Sequence, residues 1–229
     1  VLAGQKIGEA GGFISANVIC SVSGTVKAVE PRRTANGAVV PSVIVENDGT
    51  YETIEGLGND RDPKTLSKEE IRSIVKEAGI VGLGGAGFPT HVKLTPKDEN
   101  AIDYVIVNGA ECEPYLTSDY RLMIEEPEKL IGGLKVILHL FDHAKGVIAV
   151  ENNKPEAIKK LEELVKDEPR ITVCPLLTKY PQGGERSIIY AVTGRKVNSS
   201  MLPADAGCIV DNVDTVISVY MAVCKTTPL

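Results

Sequence analysis

The chain has 229 residues, with 25 Lys plus Arg against 31 Asp plus Glu, a formal net charge of −6 and an isoelectric point near 5.2. With 43% hydrophobic and 24% charged residues it can build a core, which excludes disorder as its main state. The acidic balance excludes a sequence-independent nucleic-acid binder, which needs basic patches to neutralise phosphates.

At this length one large domain, or one with a small module, is expected. No apolar run reaches the ~20 residues that span a bilayer, and no basic-then-apolar leader opens the chain. It begins at Val1-Leu2-Ala3-Gly4-Gln5 without a Met, which reads as a fragment boundary. Residues 1–55 hold short apolar runs, Val18–Cys20, Thr25–Val29 and Val39–Val45, cut by Gly and Pro. With no helical period sustained, they predict a small all-β module.

From about residue 65 helices and strands alternate. Ser67-Lys68-Glu69-Glu70 is a capping box: the Ser oxygen accepts the amide three residues on, and Glu70 reaches back. Ile71, Ile74, Val75 and Ala78 follow on one helical face, with Gly79 as the expected stop. Tyr104–Val107 predicts a buried strand, and Pro127 opens a helix through Ile131, Leu134 and Leu138. Then come a strand at Gly146–Val150, a helix at Pro155–Val165 and a strand at Ile171–Cys174. A helix at Glu185–Val192 closed by Gly194, a strand at Cys208–Val210 and a last helix capped by Asn212 complete the series. The expected fold class is α/β: a mostly parallel sheet covered by helices over residues 56–229, preceded by the all-β module. The five cysteines, Cys20, Cys112, Cys174, Cys208 and Cys224, are widely spaced with no C-x-x-C, so no disulfide framework and no metal ligands are readable. Most of them read as small buried hydrophobes.

Four loops carry candidate chemistry. Gly82-Leu83-Gly84-Gly85-Ala86-Gly87-Phe88-Pro89-Thr90 puts four glycines in six residues. Such a loop bares backbone N–H groups and can cradle a phosphate. Its G-x-G-x-x-G match is not a Rossmann fingerprint, because a helix precedes it and Phe-Pro-Thr follows. Asn108-Gly109-Ala110-Glu111-Cys112-Glu113-Pro114 leaves a predicted strand. Its polar groups can bond sugar hydroxyls or ring nitrogens, or form a solvated acidic loop. Tyr180-Pro181-Gln182-Gly183-Gly184-Glu185-Arg186 and Asp211-Asn212-Val213-Asp214-Thr215 each join a strand end to a helix start, where an anion can sit. Either alone could be a cap. All four are expected at one end of one sheet, off the carboxyl ends of its strands.

In this order the loops resemble the flavin-bearing, NADH-oxidising subunit of respiratory complex I. Gly-Ala-Glu-Cys-Glu-Pro-Tyr, Lys-Tyr-Pro-Gln-Gly-Gly-Glu and Leu-Pro-Ala-Asp-Ala-Gly look like the RnfC component of the Rnf electron-transport complex. The resemblance covers essentially the whole chain. It implies FMN as cofactor and NAD(H) as substrate. Gly82, Gly84, Gly85 and Gly87 would pack against FMN and its phosphate, and Lys93 would bring positive charge to the flavin or nicotinamide. Asn108 and Glu111 would bind the flavin, Glu113 would face the nicotinamide nucleotide and Phe88 would stack on adenine. Tyr180, Gly183, Gly184 and Glu185 would close the pocket, with Asp211 and Asn212 at the phosphate end. Three positions depart from the complex I pattern: Ala110 replaces an acid, Gly184-Glu185 an acidic pair, and Leu94-Thr95-Pro96 a run containing aromatics.

Residues 1–55 resemble half of a biotinyl/lipoyl-type barrel-sandwich hybrid, through Gly4–Gly8 and Ser21–Val26. The expected hairpin tip near Gly11-Gly12-Phe13-Ile14 holds no modifiable Lys, so a structural role is expected. The implied function is electron transfer in a ferredoxin:NAD oxidoreductase complex, with no catalytic acid, base or nucleophile. The implied partners are NADH, other subunits of a membrane complex and ferredoxin-type carriers, with no nucleic acid. The implied location is peripheral, on the cytoplasmic face of the cell membrane. The family's 4Fe-4S clusters are expected only in a C-terminal segment missing here. The alternatives are a scaffold subunit with a vestigial pocket and a flavin-dependent microcompartment reductase.

Overall fold

The computed structural model describes residues 1–229. In the N-terminal part β1 (Lys6–Gly8) pairs antiparallel with β2 (Val18–Ile19), and β3 (Gly24–Arg33) with β4 (Val39–Asn47), as two separate two-stranded sheets. The Gly11–Ile14 segment lies in the β1–β2 connection, with Phe13 and Ile14 exposed. Two-stranded ribbons are marginal alone, and these lean on the rest of the chain. Asn17 Nδ2 donates to the Glu77 carbonyl at 3.2 Å, and Phe13 meets His91 edge-on at 6.2 Å.

The remainder is an α/β unit. Its helices are α1 (Lys68–Glu77), α2 (Thr90–Lys93), α3 (Ser118–Glu125), α4 (Pro127–His139), α5 (Pro155–Val165), α6 (Glu185–Thr193) and α7 (Val213–Lys225). Its strands are β5 (Tyr104–Gly109), β6 (Lys145–Glu151), β7 (Ile171–Leu176) and β8 (Cys208–Asn212). They form one parallel sheet in the order β7-β6-β5-β8. The expected capping box starts α1: Ser67 Oγ accepts the Glu70 amide and Glu70 Oε2 accepts the Ser67 amide. Gly79, at φ +70°, follows its C-cap in the left-handed conformation that glycine adopts without strain.

The middles of the strands are largely apolar because both faces of the sheet are covered. Val105, Val107, Ile148, Val150 and Ile209 join the main core with α1, α4, α5 and α7. Ile106, Ala149, Leu176, Cys208 and Val210 pack on the other side against Ile188 and Ile189 of α6. Each large aliphatic side chain buried this way contributes roughly 1.5–3 kcal/mol. Helices α4 and α7 approach closely because α4 carries two adjacent glycines. A Cβ on Gly133 would stand 2.1 Å from the Val216 carbonyl oxygen, and one on Gly132 would stand 2.6 Å from the Tyr220 ring.

Gly133→Ala should lower the unfolding free energy by about 3 kcal/mol in a urea titration, because a helix carbonyl cannot step aside. Gly132→Ala should cost less, since the half-exposed Tyr220 ring can rotate aside, while the helix-propensity gain of about 1 kcal/mol is common to both changes. Equal losses would contradict this packing.

Candidate functional site

The strand order fixes where a site can form. From β5 the chain steps outward through β6 to β7, then returns to place β8 on the other side of β5. Connections leaving β5 and β8 therefore diverge, which opens a crevice at the carboxyl ends of the strands. The loops after β5, β7 and β8 leave that end, and the glycine loop is drawn to it. Leu83 N donates to Thr215 Oγ1 at 3.0 Å, and Gly84 lies against Asn212.

The four glycines divide into two kinds. A Cβ on Gly82 would stand 2.7 Å from the Ala86 oxygen, and one on Gly84 would stand 2.9 Å from Asn212 Cβ. Gly82 serves the loop's own closure, together with its N–H bond to Phe88 O at 2.9 Å, and Gly84 lets the loop pack on Asn212. At Gly85 and Gly87 an added Cβ meets nothing within 4 Å. That rim is bare backbone facing open space, and the residues present fit a flavin phosphate or ring laid against it.

The Asn212 carboxamide organises the floor. Its Oδ1 accepts the amides of Asp214 at 2.9 Å and Thr215 at 3.4 Å, capping α7 as expected. Its Nδ2 donates to Asp119 Oδ2 at 2.8 Å. Asp119 belongs to α3, an element the sequence reading does not contain. Burial first, and then the nearby Glu111 carboxylate, push the Asp119 carboxyl up to about 6.

Several expected flavin ligands are engaged within the protein. Glu111, at φ +47°, turns its carboxylate onto the start of α3 and accepts the amides of Asp119 at 2.7 Å and Tyr120 at 3.1 Å. It caps that helix where the dipole favours an anion. Asn108 Nδ2 donates to Gly183 O at 2.8 Å, and the Gly183 amide meets Cys112 Sγ at 3.3 Å, so the second and third loops are tied together. Lys93 Nζ donates to Val210 O at 2.7 Å and stands 3.3 Å from Asp211 Oδ1. Asp211 lies inside the protein, 1% exposed, and Lys93 is the only partner of its carboxylate. Lys93 is therefore a countercharge to this buried acid. Burial pushes the Asp211 carboxyl up while Lys93 pulls it down.

Glu113, Tyr180, Gly184 and Glu185 stay exposed, and Phe88, which follows Gly87, is half-buried. Sequence reasoning missed Asp119 and Lys154, and it placed Thr215 in the fourth loop without a role. Lys154 Nζ is buried and donates to Ala110 O at 2.8 Å, while its neighbour Glu151 accepts the Lys179 amide at 3.1 Å. The end of β6 thus braces both adjoining loops. The readable signal was a Lys in the turn between an apolar strand and Pro155. No group of three or more His, Cys, Asp or Glu side chains is placed to hold a metal ion. An open depression of about 540 Å³, lined by Arg186, Tyr190, Lys196, Val197 and Asn198, lies along α6 and away from the glycine loop.

Residues 75–221 match the family model described as the Nuo51 FMN-binding domain, and residues 1–50 match the RnfC barrel sandwich hybrid domain. The chain is 45% identical over 229 residues to the RnfC-type component of the Na(+)-translocating ferredoxin:NAD(+) oxidoreductase complex of Acetobacterium woodii, covering 100% of this chain and 52% of that protein. It is 42% identical over 226 residues to the proton-translocating counterpart of Clostridium ljungdahlii, covering 99% of this chain and 49% of that one. The chain thus spans about half the length of these curated relatives. Among solved structures, an NAD+-reducing nickel–iron hydrogenase in the air-oxidized state is similar with a TM-score of 0.60 and 26% identity, over 69% of this chain and 30% of that one.

Replacing Lys93 by Met keeps the apolar stem and strands a buried carboxylate. Losing one partner of a buried pair costs about 3 kcal/mol or more, and urea unfolding at pH 7 should show it. A carboxyl raised in the folded state binds its proton more readily there than in the unfolded chain. Its stabilising contribution is complete at low pH and fades as pH rises through the folded value. The Lys93→Met defect should therefore shrink as the pH is lowered. A pH-independent loss would mean that Lys93 acts through packing alone.

Proposed function

The chain belongs to the Nuo51 FMN-binding domain family, in the RnfC form found in ion-translocating ferredoxin:NAD oxidoreductase complexes, and from that membership we propose that it is an electron-input unit in which NAD(H) and FMN meet at the β5–β8 crevice. The observation that carries the reading is the bare rim at Gly85 and Gly87, set beside the N-terminus of α7. Backbone amides of a glycine loop and the start of a thirteen-residue helix together suit a phosphate-bearing ligand. FMN, when bound, supplies the exchange between two-electron hydride chemistry and single-electron transfer.

The residues divide the remaining work. Gly85 and Gly87 admit the ligand to the backbone. Phe88, Glu113, Tyr180 and Glu185 line the rim and orient what enters. Asn108 with Gly183, Glu111 with α3, and Lys93 with Asp211 hold the loops in place. No side chain acts as nucleophile or general base. The N-terminal module is structural, and we place its boundary at residues 55 and 56, because Thr53 bridges Ala3 and Ile54 N donates back to Ala3 O. No helix is long and apolar enough to cross a membrane. We place the chain peripherally on the cytoplasmic face, held by other subunits and exchanging electrons with ferredoxin-type carriers. The widely spaced cysteines of these residues are not assigned to 4Fe-4S clusters.

One observation favours the scaffold reading instead: Lys93, Asn108, Glu111 and Asp211 already have partners within the chain. Flavin fluorescence separates the two. Adding FMN to the chain should quench it, and Gly87→Val should abolish the quenching. Gly85→Val should do the same, although its φ of +147° adds strain of its own. NADH should then bleach the bound flavin's absorbance. A parent chain that leaves FMN fluorescence untouched would support a vestigial pocket. A Gly87→Val chain that binds like the parent would sink the loop assignment.

A further inference from the structure

We infer that Asp119 is a positioning residue of the nucleotide pocket, holding the Asn212 carboxamide in the one orientation that supports the glycine loop. The inference rests on the pocket reading above and adds a residue that lies outside all four motif loops.

Both ends of the Asn212 carboxamide are used. Nδ2 donates to Asp119 Oδ2 at 2.8 Å, while Oδ1 accepts two amides at the start of α7. A flipped carboxamide would set oxygen against a carboxylate and NH₂ against N–H donors, losing every one of these bonds. The same side chain lies beneath the glycine loop. Its Cβ and Nδ2 would stand 2.9 and 3.0 Å from a Cβ on Gly84, and Thr215 in the next turn of α7 accepts the Leu83 amide. A shift of Asn212 is therefore a shift of the cradle. Asp119 is in turn fixed from behind, because Glu111 accepts its backbone amide.

The surroundings give Asp119 a protonation equilibrium within reach of experiment. Glu111 and Glu113 face it from the β5–α3 connection and Asp214 from α7, all acidic. Lys93, at the end of α2, is spent on Val210 and Asp211 of β8. On the α5 side of α3, Tyr120 bonds Glu156 and Lys160 bonds the Ile124 carbonyl, and Arg121 pairs with Glu125 within α3. No cation is left to hold Asp119 ionised, and its carboxyl is pushed up to about 6. Its bond to Asn212 is charge-assisted above that pH and neutral below it.

The test uses the ¹⁵N-labelled chain. The Asn212 side-chain amide, assigned by its loss in Asn212→Asp, should titrate with a midpoint near 6 in the parent and not in Asp119→Asn, which keeps an acceptor but cannot ionise. By flavin fluorescence at pH 7.5, Asp119→Ala should weaken FMN binding about ten-fold, the effect of roughly one hydrogen bond to a charged group. Asp119→Asn should stay within about three-fold of the parent. An Asn212 amide flat from pH 4.5 to 7.5 would overturn the inference, and that measurement needs no destabilising variant. Asp119→Ala binding FMN like the parent would overturn it too. A parent that binds no FMN yet shows the Asn212 titration would leave the contact standing and sink the pocket reading instead.

Discussion

The Asn212 carboxamide sits where β8 becomes α7, and its two ends pull in opposite directions. One end satisfies the orphan amides that any helix start leaves open. The other reaches across to α3. Two neighbouring contacts complete the constraint: Glu111 caps α3 from the loop after β5, and Thr215 holds the glycine loop from α7. Three of the four motif loops are therefore fixed by hydrogen bonds whose donors are mostly helix-terminal amides. Such donors are part of the backbone and cannot rotate away, so the crevice floor is as rigid as the helices that build it.

Rigidity here also has an electrostatic side. The carboxyl end of the sheet collects Glu111, Glu113, Asp119, Asp211 and Asp214 in a chain that is acidic overall. Burying such acids is costly unless each finds compensation. Glu111 finds a helix N-terminus, Asp211 finds Lys93, and Asp119 has a carboxyl whose proton is held more tightly than usual. Lys93 supplies the strongest constraint among these, because the cost of stranding Asp211 keeps the amine in place. The positive charge that the family resemblance assigns to a flavin is thus already balanced before any ligand arrives.

Much of the fold was legible in the sequence for identifiable reasons. Helix α5 was read at its observed bounds because Pro155 fixes its start and the apolar period runs unbroken to Val165. The capping box of α1 and the Asn212 cap of α7 were legible because both are local: cap and amide lie two or three residues apart. Helix α3 was not legible. It spans eight residues, and its cap is the carboxylate of Glu111, seven positions before its first residue. Asp119 went unseen for the same reason, since its partner lies 93 residues away. Motif order located the loops at one end of the sheet, yet could not say which polar groups face inward to brace the fold and which face the crevice. Gly82 and Gly85 look equivalent in sequence, and only close approach to the Ala86 carbonyl separates them.

That separation decides how the site can discriminate. The groups that set the floor are committed to one another, so they hold the crevice's shape whatever binds there. On the proposed reading, choice among ligands falls to what remains uncommitted: the bare backbone at Gly85 and Gly87, the half-buried ring of Phe88 and the exposed Glu113, Tyr180 and Glu185. Backbone amides recognise a phosphate without preferring one nucleotide to another, so discrimination falls to the rim side chains. Two of those are carboxylates, which accept from hydroxyl and amide donors and repel a phosphate placed directly against them. On the proposed reading, such a rim suits a donor-rich ligand end such as a nicotinamide and its ribose.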